Sequence, residues 1–211
     1  MKLKIAERGS HLPTAPSLVL GPYLDGHRTR RRYARLPIFG FLDLARKVGS
    51  MRDFGAAKAF AAAQSLPDDN ELAEIRERMR SAADRPTRAN EAAQIVAAML
   101  DAVRGFDAAK SATFVEFFVF SLELELAAGP VSLHAIAEAA LHFGMECTWP
   151  PTPREFIAKA RKFENRYRSA VRVLDWTMAE RQRLIAIEAH DQQRLFSRTV
   201  ARRPATQSLL P

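Results

Sequence analysis

TFVEFFVFSLELEL, residues 113–126, carries two opposed periodicities, and the fold class depends on which one prevails. Phe, Val and Thr favour strands, and Leu122, Leu124 and Leu126 alternate with Glu123 and Glu125 as in a half-buried strand. Against this, Phe114, Phe117, Phe118, Ser121 and Glu125 keep helical spacing, and Ala127-Ala128-Gly129 reads as a helix end. No other stretch offers a partner strand, and a lone strand leaves its ladder N–H and C=O groups unsatisfied. The segment is therefore read as a buried helix and the chain as all-α.

Downstream, Gly129-Pro130 breaks the chain and Ser132 caps a helix over 133–143, with Ile136, Ala139, Ala140 and Phe143 on its core side. Then comes CTWPPTPREFIAKARK, residues 147–162. Thr152 and Glu155 fit a capping box, Pro153 suits the first helical position, and Pro151 and Phe156 match a hydrophobic staple. Phe156, Ala160, Phe163, Tyr167, Ala170 and Leu174 follow in steps of four and three and make one apolar stripe. Arg154, Arg161, Arg168 and Arg172 line one flank of it, and Lys159, Lys162 and Arg166 line the other. The pattern predicts a helix docked by its seam with charge outward. Thr177-Met178-Ala179-Glu180 matches a second capping box, so the helix continues or restarts there and runs to about Val200.

Upstream, Ala92, Ile95, Val96, Met99, Leu100 and Val103 predict a helix over about 88–105. Asp68 or Asp69 caps another carrying Leu72, Ile75 and Met79. Asp53 caps an Ala-rich helix over 54–65, and Phe41, Leu44, Ala45 and Val48 mark a short one that Gly49 closes. Residues 1–37 show no sustained period, since prolines and glycines, Gly26 among them, interrupt it. Within them lies HRTRRRYAR, residues 27–35, and the stretch reads as a flexible arm partly pinned by Leu18, Leu20, Tyr23 and Leu24.

Charge divides the chain similarly. Residues 1–36 hold eight Lys/Arg against two acids, residues 37–150 eleven against sixteen, and residues 151–211 thirteen against six. The expected architecture is a compact multi-helix domain with four parts: a flexible basic arm (1–37), an acidic helical body (38–150), a basic helical region (151–203) and a disordered tail (204–211). The arm supplies candidate nucleic-acid contacts in Arg28, Arg30, Arg31, Arg32, Tyr33 and Arg35. The candidate partner-binding residues are Trp149, Pro150 and the two basic flanks. Trp149 has two readings, as core filling or as an exposed aromatic-proline edge.

Enzyme chemistry finds no support. Neither GxxxxGK[ST] nor GxGxxG occurs. The five histidines are scattered, and the one cysteine, Cys147, lacks an evident histidine partner and reads as a buried structural thiol. No catalytic residue, metal site or cofactor is expected. A single cysteine and the lack of a long apolar run suit a cytoplasmic protein with no membrane partner.

The span from about 90 to 165 resembles the phage-type, non-ATPase loader/inhibitor proteins of the replicative hexameric helicase. The likeness rests on ANEAAQIVAAMLDAVRGF, SATFVEFFVFSLELEL, VSLHAIAEAALHF and WPPTPREFIAKARKF. It implies an all-α adaptor of DNA replication that engages the helicase, or another replication protein, and loads or restrains it without hydrolysing nucleotide. Charge segregation alone implies an alternative, a DNA-binding regulator or architectural protein. A virion structural or packaging component is a third possibility.

Overall fold

A computed structural model describes residues 20–48, 54–103 and 112–201. They form a 3-10 turn, Gly21–Tyr23, and eight α-helices: α1 (Asp25–Tyr33), α2 (Ile38–Lys47), α3 (Phe54–Gln64), α4 (Asp69–Asp84), α5 (Ala89–Ala102), α6 (Ala112–Ala128), α7 (Leu133–Glu146) and α8 (Pro153–Ala201). The fold is all-α, with no strand among the described residues and only an isolated bridge between Pro86 and Ser132. The ambiguous 113–126 stretch lies wholly within helix α6, where Phe118 and Leu122 are buried. No described helix is long and apolar enough to cross a membrane.

Contacts divide the chain into two units, Met1–Arg35 with Glu74–Arg172 and Leu36–Ala73 with Val173–Pro211. The boundaries fall between α1 and α2, inside α4 and inside α8; the first lies beside the charge boundary at residue 37, and none lies near that at 150. In the first unit α7 is the central helix, and every residue from Val131 to Ala140 is buried. Its alanines let α5 and α1 approach closely, and Ser132 caps it by accepting the Ala135 N–H. Around it gather Leu20, Ile95, Met99, Phe118, Phe156 and Tyr167, each fully buried. The second unit packs α2 against α3 with Ile38, Phe41, Leu42 and Ala45 inside, and α8 contributes buried Leu174 and Leu184. Here Arg181 donates to Pro67 O and to Asp69 Oδ1 (3.2 Å), and Arg183 donates to Ala45 O at 2.9 Å. These two arginines satisfy loop and helix-end carbonyls.

Two expectations are corrected, and one left open is decided. The arm is not irregular throughout: residues 25–33 form α1, while Leu20 and Leu24, read as pinning it, do lie in the core. Gly26, read as a breaker, sits inside that helix because of close packing. A Cβ there would stand 2.7 Å from Ala82 Cβ and 3.1 Å from the Tyr167 hydroxyl. Of the two readings left open at Thr177, continuation or restart, the helix continues. The Thr177 hydroxyl donates to Val173 O at 2.7 Å, the back-bond of a mid-helix threonine, and α8 runs on unbroken. Cys147 is half-buried rather than buried. The expected roles of Gly49 and Asp53 and the expected tail over 204–211 lie outside the described residues.

The helix start at Pro153 forms as the capping box requires. Thr152 Oγ1 accepts the Glu155 N–H at 3.2 Å, and Glu155 Oε2 accepts the Thr152 N–H at 2.8 Å. Thr152→Ala is expected to cost about 1 kcal/mol in urea unfolding, the usual loss of a threonine cap.

Candidate functional site

The corner between α7 and α8 turns on Cys147, whose N–H closes α7 on Phe143 O at 3.1 Å. Pro151 is buried and Pro150 half-buried, so the prolines anchor the turn. Trp149 does not fill the core. It is 76% exposed, an unusual position for the largest side chain. The start of α8 and the outer side of α6 enclose an open groove of about 420 Å³, lined by Phe117, Ser121, Leu124, Glu125, Ala128, Thr152, Pro153 and Arg154. Its apolar character comes from α6, which is apolar nearly all round. With Phe118 and Leu122 turned inward, Phe117, Phe120 and Leu124 are left 61%, 58% and 57% exposed. Phe117 and Leu124 therefore sit in the groove while Phe120 stands on the same helix outside it.

The two flanks of α8 behave differently. On one, Arg154 lines the groove, Arg161 reaches Gly129 O at 3.5 Å, Arg168 pairs with Glu164 at 2.5 Å, and Arg172 donates to Ser169 Oγ at 3.3 Å. On the other, Lys159 Nζ lies 5.6 Å and Arg166 Cζ 5.2 Å from the centroid of the Phe163 ring. The residues read as an arm divide too. Arg28, Arg31, Arg32 and Arg35 are exposed, whereas Arg30 and Tyr33 are half-buried. Burial raises the Tyr33 pKa above its ordinary value. Arg30 turns inward and brings its guanidinium carbon to 5.8 Å from the same Phe163 ring, so α1 and the lysine flank of α8 meet.

What turns Arg30 inward is Glu138, a residue not among the sequence candidates. Its side chain is only 2% exposed. One carboxylate oxygen accepts from Arg30 Nε (3.0 Å), from a second Arg30 nitrogen, and from the His27 ring at 3.0 Å. The other accepts from the Tyr167 hydroxyl. Burial pushes the Glu138 carboxyl upward, but the hydrogen bonds from His27, Arg30 and Tyr167 outweigh it and hold the group below the usual glutamate range. Burial, with the Glu138 charge beside it, pushes the Tyr167 hydroxyl far above its ordinary value, so it is a fixed donor. The signal in the sequence was slight: one acid in LHAIAEAALHF, a run apolar apart from it and two histidines. Nearby, His134 Nδ1 meets Tyr23 O at 2.8 Å, and burial lowers its pKa.

This polar cluster clamps α1, α7 and α8 together. Among the described residues no group of three His, Cys, Asp or Glu side chains is placed to hold a metal ion. Comparison with protein-family models, curated proteins and solved structures returned no match.

Proposed function

We propose that this protein is an adaptor of DNA replication that binds the replicative hexameric helicase and loads or restrains it, without hydrolysing nucleotide. The observation that carries the reading is Trp149, 76% exposed on a corner that proline and capping chemistry hold rigid. A rigid aromatic exposed at a turn suits an anchor that a partner buries, since tryptophan and arginine dominate interface energetics. The groove beside Arg154, with Phe117 and Leu124 in it, supplies the apolar surface such an anchor needs around it. The resemblance across residues 90–165 supplies the partner class.

A pull-down with the replicative helicase of the source organism tests the reading. Binding at micromolar concentration is expected, and Trp149→Ala with Phe117→Ala should weaken it at least tenfold. Both side chains are exposed, so folding should be little affected. Unchanged capture by the double variant would remove the corner from the interface.

Arg28, Arg31 and Arg32, exposed on α1, and Arg35 just past its end favour a second reading, a DNA-binding regulator. Its mark would be binding to DNA with no helicase complex.

A further inference from the structure

We infer that Arg30, Lys159, Lys162 and Arg166 form one phosphate-binding seam that holds the sugar-phosphate backbone of a nucleic acid without reading its bases. The inference is independent of whether the corner docks a helicase.

The seam joins residues far apart in sequence. Three cationic groups, from Arg30, Lys159 and Arg166, stand within 5.8 Å of the centre of a single ring, Phe163. Lys162 lies between the last two along the same exposed flank of α8. The negative face of the ring offsets part of their mutual repulsion, and Glu138 compensates Arg30 alone. Glu138 is already engaged by Arg30, His27 and Tyr167. Glu146 is paired with His142, whose own ring is 6.4 Å from Phe163. Among the described residues Lys159, Lys162 and Arg166 have no carboxylate partner. Like charges held together this way favour an incoming anion.

The chemistry points to phosphate. A guanidinium has five N–H donors, and Glu138 draws on one at Nε and one at Nη2 of Arg30, which leaves the Nη1 pair and the second Nη2 hydrogen. Glu138 thus fixes the guanidinium in place, and the lysines add mobile point charges. From Lys159 to Arg166 the helix rises about 10 Å, which matches two or three successive phosphates of one strand. Phe163 is 5% exposed and lies beneath the cations, so it offers no face for a base to stack on. For the same reason the seam lacks the exposed central apolar anchor that a protein partner would bury. Backbone binding independent of base sequence is what remains.

Fluorescence anisotropy of the full chain with a labelled oligonucleotide, single-stranded in one arm and duplex in the other, tests this at about 50 to about 200 mM salt. Binding in at least one arm is expected, weakening steeply with salt. Lys159→Ala with Arg166→Ala should lower affinity tenfold or more and reduce the log–log salt slope by about 2. Arg161→Ala with Arg168→Ala, on the opposite flank, should leave both within about twofold, an independent flank contributing independently. Should the first pair misfold by circular dichroism, Arg166→Gln alone must shift affinity in the same direction. No binding of either strand at the lower salt, or unchanged affinity in the seam variants, would overturn the proposal. So would poly-glutamate displacing the oligonucleotide equally well at equal charge, which would assign the seam to an acidic protein.

Discussion

Replacing Glu138 with alanine is expected to lower stability by about 3–5 kcal/mol, the cost of leaving buried charge uncompensated. Arg30, His27 and Tyr167 all lose their acceptor at once. Two of these come from α1 and one from α8, so the loss should loosen both helices from α7. Urea unfolding measures the loss, and hydrogen exchange should show α1 opening first. A companion variant, Glu138→Leu with Arg30→Met, should recover part of it, because apolar groups of similar size can replace a buried pair. The same carboxylate gives a pH dependence. Its pKa is depressed in the folded state, so between the folded and unfolded values the unfolded chain binds more protons. The stabilisation it provides is present above the ordinary glutamate range and is lost as pH falls through the folded value. Acidification should therefore destabilise the native chain more than the Glu138→Ala variant.

Phe156→Ala carries the second large effect, about 3–5 kcal/mol from lost burial and the cavity left behind. The ring is fully buried, edge-on to Phe118 at 5.9 Å between centroids and tilted against Phe143 at 6.1 Å. It links α8 to α6 and to α7, and no neighbour is free to collapse into its place without disturbing the others. Phe117→Ala, on the outer side of α6, should by contrast change stability by no more than about 0.5 kcal/mol. That difference between two phenylalanines, read by urea unfolding, separates the structural face of the first unit from its exposed apolar face. Equal losses would mean that the outer face is packed in solution.

The helices were legible wherever local chemistry decides them. A strand over 113–126 would have lacked a partner, and the capping box at Thr152 satisfies backbone groups within four residues. The stripe from Phe156 to Ala170 is buried as its spacing predicts. The error over 25–33 has a physical cause. Every residue of that stretch but Gly26 is charged or polar, and what folds it is a carboxylate 108 positions away from Arg30. Local periodicity carries no sign of such a partner, and Gly26 looks like a breaker until Ala82 and Tyr167 are seen against it. At Thr177 the sequence left continuation and restart both open. The spacing T-x-x-E marks a helix start only when the preceding residues leave the helix, and here they do not.

For the candidate site, the sequence pointed to Trp149 and both flanks of α8 but left open whether the tryptophan was inside or outside. It also treated the arm and the lysine flank as separate surfaces, whereas Arg30 brings them together at Phe163. One practical consequence follows for truncation. Deleting residues 1–36 would remove Leu20 and Leu24 from the core and two partners from Glu138, so it would report on folding before it reported on DNA binding. Point variants on exposed residues avoid that confusion.

The most direct test of the adaptor reading is the mass of the complex. Size-exclusion chromatography with light scattering, on the full chain mixed with the replicative hexameric helicase of its source at micromolar concentration and moderate salt, should give a single species heavier than the hexamer. Trp149→Ala with Phe117→Ala should return the two proteins to separate peaks. Separate peaks for the unaltered chain, in low salt as well as moderate, would contradict the account.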